Sequence, residues 1–369
     1  MFCILPPHIL RSIAARGTDA QRRRALATLA TDQTLRAMRA AMAPGAPPVD
    51  VTTPTLEPKR TIYTASNTTG LPGTIVRREG DGPSRDPAVD EAYDGLGATF
   101  DFYAQVFRRN SIDNHGLPLN GTVHFGNDYD NAFWNGKQMV FGDGDGELFN
   151  RFTISLDVIG HELTHGVTES ESHLAYIFQP GALNESLSDV FGSLVKQCAR
   201  GQTAAQADWL IGAELLTDAV KQRGPSVALR SMKAPGTAFD DPVLGKDPQP
   251  DRMSRFVVTY EDSGGVHINS GIPNRAFYLV ASALGGHAWE KAGRIWYTAL
   301  HRVKTGTDFA AFANLTLDAA STLYGAAGAE RQAVEDAWRT VEVLPAAVAA
   351  PAELAGVGGN GGGTGPRAR

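Results

Sequence analysis

His161 and His165 stand four residues apart in V-I-G-H-E-L-T-H-G-V. If residues 158–167 are helical, both imidazoles leave one face about a turn apart, and a single Zn²⁺ can bridge them. Glu162 sits beside the pair, where its carboxylate can reach a metal-bound water and take its proton. Two imidazoles leave zinc under-coordinated, so a third protein ligand and an open water position are expected. Glu185 fits that place. It opens a second helical segment, residues 184–197, on which Glu185 and Asp189 share a face, so one carboxylate can bind metal while the other holds a ligand histidine by its second nitrogen. Asn184 is a candidate to support the ligands from the same segment. A bare H-E-x-x-H also arises on ordinary amphipathic helices; the following N-E-x-x-S-D favours the metal reading, because a buried second carboxylate pair would otherwise be costly.

The segments that must position these groups divide the chain into two lobes. R-T-I-Y-T-A, G-T-I-V-R-R, G-T-V-H-F and K-Q-M-V-F-G, from residue 60 to residue 142, alternate apolar and polar residues between Gly/Asn turns, which predicts antiparallel strands. Residues 88–107 interrupt them with an amphipathic helical pattern through Val89, Tyr93, Leu96, Phe100, Tyr103 and Val106. Residues 275–284, 289–303, 309–323 and 329–341 have apolar residues at helical spacing and predict an α-helical lobe. The zinc helix should lie between the lobes, at the floor of a cleft. G-D-G-D-G at 142–146 lacks the twelve-residue ligand pattern of a calcium loop and reads as a hairpin turn. Trp134 reads as packing.

The chain of 369 residues, 42% apolar, is long enough for a large core in two lobes. It has no apolar run of membrane-spanning length. The start, M-F-C-I-L-P-P-H-I-L, has no basic region before its apolar residues and is broken by Pro6 and Pro7, so it is a poor secretory signal. Localisation is therefore open between the cytoplasm and export by a non-standard route. Only Cys3 and Cys198 are present, too few for a disulfide framework. Cys3 is either an unpaired thiol or a thiolate aimed at zinc in a latent precursor. Residues 1–50 carry seven arginines and three aspartates, about +4, which leaves about −10 for the rest of a chain at −6. A basic segment tied to an acidic body should dock on it. Residues 11–16 and 22–42 read as short helices, and 43–55, rich in proline and alanine, as an exposed linker. His8 is given no role. Residues 344–369, Ala/Pro then Gly-rich, read as disordered.

The zinc helix, N-A-F-W-N-G at 131–136, G-D-G-D-G at 142–146, L-R-S-M at 229–232 and G-G-V-H-I-N-S-G at 264–271 together resemble, in order, the blocks of the thermolysin family of zinc endopeptidases, over about residues 60–342. The start I-L-P-P-H-I-L is similar to the short propeptides of the protealysin-like branch. The resemblance implies an α+β fold of two lobes, in four parts: an inhibitory propeptide and linker at 1–55 that docks in the chain's own cleft, a β-rich lobe at 56–157, a helical lobe at 158–343, and the tail. A helical extension that only aids folding is the alternative for the first part.

The same resemblance implies roles for residues that spacing alone leaves open. Asn131 and the Ala132 carbonyl hold substrate backbone, where the residues alone read equally as a strand with a tight turn. Arg230 binds the carbonyl beside the scissile bond, where alone it could be a surface ion pair. His267, placed by the double glycine, donates to the oxyanion, and Asp262 fixes its tautomer. The Tyr176 hydroxyl is a second donor, unless it is a core tyrosine. Phe149, Phe152, Val158, Ile211, Leu215 and Leu229 line an apolar pocket beside the metal, so cleavage is expected before Leu, Phe, Ile or Val. The family's paired-calcium positions correspond to Asp157, Lys196, Asp208, Leu210 and Ala213. Only two of these are carboxylates, so no calcium is expected, with the Lys196 ammonium beside Asp157 or Asp208 instead.

The expected activity is that of a monomeric neutral endopeptidase on proteins and peptides, with no nucleic-acid or membrane partner. An aminopeptidase would need a G-A-M-E-N-like block to grip a free amine, and the chain has none. A non-catalytic zinc module need not keep Glu162. A nucleic-acid binder conflicts with the acidic body.

Overall fold

The computed structural model describes residues 2–41, 56–172 and 174–346. The linker expected at 43–55, and the tail beyond 346, lie outside the described residues. The helices are α1 (Pro7–Arg16), α2 (Asp19–Ala41), α3 (Pro87–Phe107), α4 (Leu156–Ser172), α5 (Phe178–Ala199), α6 (Asp218–Arg223), α7 (Asp262–Asn269), α8 (Gly271–Leu284), α9 (Ala292–Leu300), α10 (Phe309–Tyr324) and α11 (Ala329–Thr340). The helix expected at 289–303 is thus shorter at both ends. Among the described residues no helix is long and apolar enough to cross a membrane.

The N-terminal lobe is built on a six-stranded sheet of β1 (Phe2–Cys3), β2 (Arg60–Thr64), β3 (Thr74–Arg78), β4 (Leu119–Val123), β5 (Ala132–Trp134) and β6 (Met139–Phe141), in the order β1-β5-β6-β4-β2-β3. All four expected strands form, but the all-antiparallel expectation is corrected: β2 runs parallel to β4, and β4 to β6. After β3, antiparallel to β2, the chain passes through α3 and re-enters the sheet as β4 on the other side of β2, parallel to it. Asp86 caps α3 by accepting from the Ala88 amide, with Pro87 at the first turn.

The 142–146 loop is not a hairpin turn either. β6 leads into it but no strand returns; instead Asp145 Oδ1 accepts the amides of Glu147, Leu148 and Phe149 at 2.7–3.0 Å. The chain needs a loop here because it must leave the sheet for α4.

The two zinc-bearing helices lie at the centre. α4 packs against α3, β1, β5 and β6 on one side and α5 and α9 on another. α4 and α5 touch backbone to backbone: a Cβ on Gly192 would lie 2.4 Å from the Asp157 carbonyl oxygen and 2.9 Å from the His161 amide nitrogen. Only glycine permits that approach, and it brings the side chains of the two helices onto one point. Behind them, Trp296 of α9 stacks on Trp338 of α11 at 6.0 Å in the core of the helical lobe.

Candidate metal centre and substrate cleft

His161 and His165 project from α4 with their Nε2 atoms 3.1 Å apart. Glu185 of α5 comes within 3.4 Å of the first and 3.5 Å of the second. The opposite nitrogens are both tied: His161 Nδ1 to Asp189 Oδ1 at 2.8 Å, and His165 Nδ1 to Asn184 Oδ1 at 2.7 Å and Ser188 Oγ at 2.9 Å. Asp189 and Asn184 thereby orient the Nε2 atoms inward. Ser188 is a support that sequence reading missed, although its place one turn beyond Asn184 on the same helix could have signalled it.

The donor set fits a zinc ion. All three side chains are buried, their ligand atoms lie within 4.8 Å of one another, and Glu185 Oε2 is buried without a hydrogen-bond partner. The charges agree. Burial works against a protonated His161, yet Asp189 and Glu185 hold it up at about 9. Burial leaves His165 at about 3. Burial also disfavours the Glu185 carboxylate, but His267, His165 and His161 keep it well below the usual range. Three donors that favour charge compensation around one point suit a divalent cation.

Glu162 is fully buried, and its Oε2 accepts the Trp134 amide at 2.9 Å while Oε1 has no hydrogen-bond partner. Burial, with help from Glu185, pushes Glu162 up to about 8. Trp134 therefore does more than pack: its main chain fixes the carboxylate. No side-chain signal could have revealed that.

The cleft beside the cluster holds the chain's own start. β1 pairs antiparallel with β5, Phe2 opposite Trp134 and Cys3 opposite Phe133. The Ile4 amide donates to the Ala132 carbonyl at 3.2 Å, and the Leu5 amide to Asn131 Oδ1 at 3.0 Å. Arg230 Nη1 donates to the Ile4 carbonyl at 3.1 Å, while its Nε and Nη2 grip Asp189 at 2.8 Å each. Arg230 is no surface ion pair; it is buried on β8 (Arg230–Ser231), opposite Ile211 of β7 (Leu210–Ile211) in a two-stranded ribbon. Asn274, which sequence reading missed, donates to Asp189 at 2.8 Å.

His267 Nδ1 donates to Asp262 Oδ1 at 2.7 Å, and Nε2 donates to the Cys3 carbonyl at 3.0 Å. Both neighbours accept, so both ring nitrogens carry hydrogen. Burial opposes that charge, but Asp262 and Glu185 outweigh it and raise His267 above its usual value. The Tyr176 hydroxyl donates to Glu185 Oε1 and lies 3.5 Å from His267 Nε2. Left-handed backbone from Asp262 to Gly265 lets α7 start in so tight a turn. Phe149, Phe152, Val158, Ile211, Leu215 and Leu229 are all buried in the apolar cluster that includes Ile4.

Cys3 belongs to a different cluster, with Phe125, Tyr129, Phe133 and Val140. Its carbonyl, not its sulfur, faces the site, so the zinc-thiolate alternative is set aside. The first residues are held from further along too: Arg11 bonds Glu261 at 2.6 Å, Arg24 bonds Glu147 at 2.7 Å, and Asp32 accepts from Tyr129 at 2.5 Å and Asn131 at 2.9 Å. At the calcium-equivalent position, Lys196 Nζ donates to Asp157 at 2.7 Å and to the Leu210 carbonyl at 2.7 Å, and lies 3.1 Å from Asp208. Glu214 approaches this cluster through Ser155, at 3.1 Å, an acidic group absent from the sequence reading.

Family profiles match most of the chain: the protealysin propeptide at 3–35, the catalytic domain of thermolysin metallopeptidase at 50–169, and its alpha-helical domain at 172–343. The chain is 55% identical over 342 residues to the extracellular metalloprotease of Pectobacterium carotovorum subsp. carotovorum, covering 92% of this chain and 96% of that protein. It is 48% identical over 349 residues to protease PrtS of a Photorhabdus species, covering 92% and 91%. Among solved structures, the precursor of protealysin, the metalloproteinase from Serratia proteamaculans, superposes with a TM-score of 0.84 at 54% identity, covering 93% of this chain and all of that one. With a β-rich lobe, a helical lobe, a His-His-Glu cluster between them and a helical propeptide in front, the chain belongs to the thermolysin family of zinc metalloendopeptidases.

Proposed function

We propose that this protein is a latent neutral endopeptidase that cuts internal bonds before bulky apolar residues and is silenced by its own first 55 residues until it processes itself. The observation that carries the reading is the backbone of residues 3–5, which accepts hydrogen bonds from Arg230 and His267 and donates one to Asn131, the groups assigned to a substrate's main chain. Zinc held by His161, His165 and Glu185 would supply a Lewis acid that acidifies a bound water and polarises a carbonyl. Glu162 takes the water proton and passes it to the leaving amine. His267, charged through Asp262, stabilises the developing oxyanion, with Tyr176 as a second donor once its hydroxyl leaves Glu185. Asn131, the Ala132 carbonyl and Arg230 hold main chain, which lets the site accept many sequences. Phe149, Phe152, Val158, Ile211, Leu215 and Leu229 receive the side chain after the cut.

Calcium has no part at the Lys196 site in this reading, because the ammonium already neutralises Asp157 and Asp208. The catalytic part works as a monomer outside the cell, as the name of the Pectobacterium relative suggests. The boundaries follow the sequence reading: propeptide and linker to 55, β-rich lobe to 157, helical lobe to 343.

A positional peptide library cut by the matured protein should show Leu, Phe, Ile or Val directly after the cut. A flat profile there overturns the specificity reading. Incubation of the full chain with zinc, followed by mass spectrometry, should reveal processing near residue 55 that is lost in Glu162→Ala.

A further inference from the structure

The propeptide does not merely block the cleft; it crosses it in the direction and register of a substrate. The carbonyl that meets the oxyanion donor His267 is that of Cys3, at 3.0 Å. The next carbonyl, Ile4, meets Arg230 at 3.1 Å. The amide between them, Ile4 N, meets the Ala132 carbonyl at 3.2 Å, and Leu5 N meets Asn131 at 3.0 Å. Four consecutive main-chain groups are therefore matched to the groups assigned to a substrate's main chain, with the Cys3–Ile4 bond where the cut bond would lie. Ile4 is fully buried and belongs to the same hydrophobic core as Val158, Leu215 and Leu229. Its side chain meets the proposed preference for a residue after the cut.

From this register we infer that Cys3–Ile4 is itself a cleavage site: the precursor hydrolyses this bond in cis, before and separately from loss of the propeptide. The inference rests on the endopeptidase reading above. Water adds its oxygen to the Cys3 carbonyl carbon while Glu162 takes one of its protons. The C–N bond then breaks and both water protons end on the Ile4 nitrogen, the first by way of Glu162 and the second from the new carboxyl group, so the products are a carboxylate on Cys3 and an ammonium on Ile4. No other reactant is needed. The trimmed propeptide stays docked, because Arg11–Glu261, Arg24–Glu147 and Asp32 with Tyr129 and Asn131 all lie beyond the cut. A trimmed form that remains latent should thus precede the mature enzyme.

The full chain, purified under chelation and then given zinc, is followed by intact mass and N-terminal sequencing over a dilution series. The expected result is a new N-terminus at Ile4, formed at a rate independent of protein concentration, before any cut near residue 55. Ile4→Leu should trim as the parent does. Ile4→Asp, whose charge cannot enter the apolar cluster, should not trim, and neither should Glu162→Gln. A chain that keeps the residues before Ile4 while its matured form hydrolyses a peptide with an internal Leu overturns the inference and leaves the endopeptidase reading standing; failure of both reactions would sink that reading instead. A readout without turnover comes from Glu162→Gln labelled with carbonyl-¹³C cysteine, which gives two signals, from Cys3 and Cys198. Zinc should shift the Cys3 signal alone. If the Cys3 signal stays in place, its carbonyl does not face the site and the inference fails.

Discussion

Arg230 and Asp189 are joined by two parallel hydrogen bonds, Nε to Oδ2 and Nη2 to Oδ1, each 2.8 Å long and out of contact with water. The same carboxylate holds His161, at 2.8 Å. One side chain thus links the group that grips peptide backbone to a ligand of the metal. Burial disfavours its charge, but Arg230 and His161 hold Asp189 down at about 2.

The two ends of this link should separate by mutation. Asp189→Asn loses charge toward both neighbours, so zinc affinity should fall about 10- to 100-fold, as for other supporting partners of metal-bound histidines. Arg230→Lys keeps a charge but not the fork, and should lower kcat/KM roughly 10- to 100-fold with little change in zinc affinity. Chelator competition and peptide kinetics on matured protein measure the two effects. Equal losses of zinc in both variants would contradict this division.

Lys196 makes the second prediction. It is buried among Asp157, Asp208 and Glu214, which outweigh the cost of burial and raise its pKa. Lys196→Met leaves a buried Asp157 without its cation and should cost about 3–5 kcal/mol in urea unfolding. EGTA should not change the Tm of the parent. Lys196→Glu, with the Leu210 carbonyl beside it, should make Tm rise with added calcium. A parent whose Tm drops in EGTA would refute the ammonium-for-calcium reading.

How much of this could be read in the residues depends on whether a role sits in a side chain of fixed spacing. His161, Glu162, His165, Glu185 and Asp189 lie on two regular helices, so periodicity alone put them on the right faces. Arg230, Asn131 and Tyr176 lie on loops or strand edges, and Asp262 and His267 on α7 with its left-handed start, so no regular spacing joins them and they became legible only through resemblance of whole blocks. The strand directions were misread because alternation sets which face a residue uses, not which way its neighbour runs. The Trp134 amide and the Cys3 carbonyl were invisible, since main-chain groups carry no residue type. Glu214 was passed over because loop lengths between aligned blocks are not fixed by any local pattern.

Acid should loosen the propeptide. His8, in α1, is lowered from 6.5 to about 4 by burial, with the Asp262 carboxylate working the other way and His267, Arg230 and Arg11 adding to the fall. Neither ring nitrogen has a hydrogen-bond partner. Its docked pKa lies below its free value, so docking gains nothing from His8 protonation and is unaffected above pH 6.5. As pH drops from 6.5 toward 4, protons favour the released form by up to about 1.4 kcal/mol per pH unit. The rate of zinc-triggered activation, measured from pH 7 to pH 5 after brief acid exposure, should rise in the parent and be flatter in His8→Leu. The same slope in both would remove His8 from the account.

Glu162→Gln is the sharpest separation of binding from turnover. Trp134 N donates to Oε2 of the carboxylate, and an amide oxygen can accept that bond in the same rotamer, so the side chain should keep its place. The amide cannot take a proton from water at neutral pH. Turnover should fall about 10²- to 10⁴-fold, the usual contribution of a positioned base. Zinc content should stay the same, because His161, His165 and Glu185 are untouched. Glu162→Asp tests position rather than basicity: it keeps the carboxylate but shortens the reach, so the Trp134 bond is lost and kcat should fall while KM changes little. Near-normal kcat in Glu162→Gln, with zinc bound, would mean that another group removes the proton.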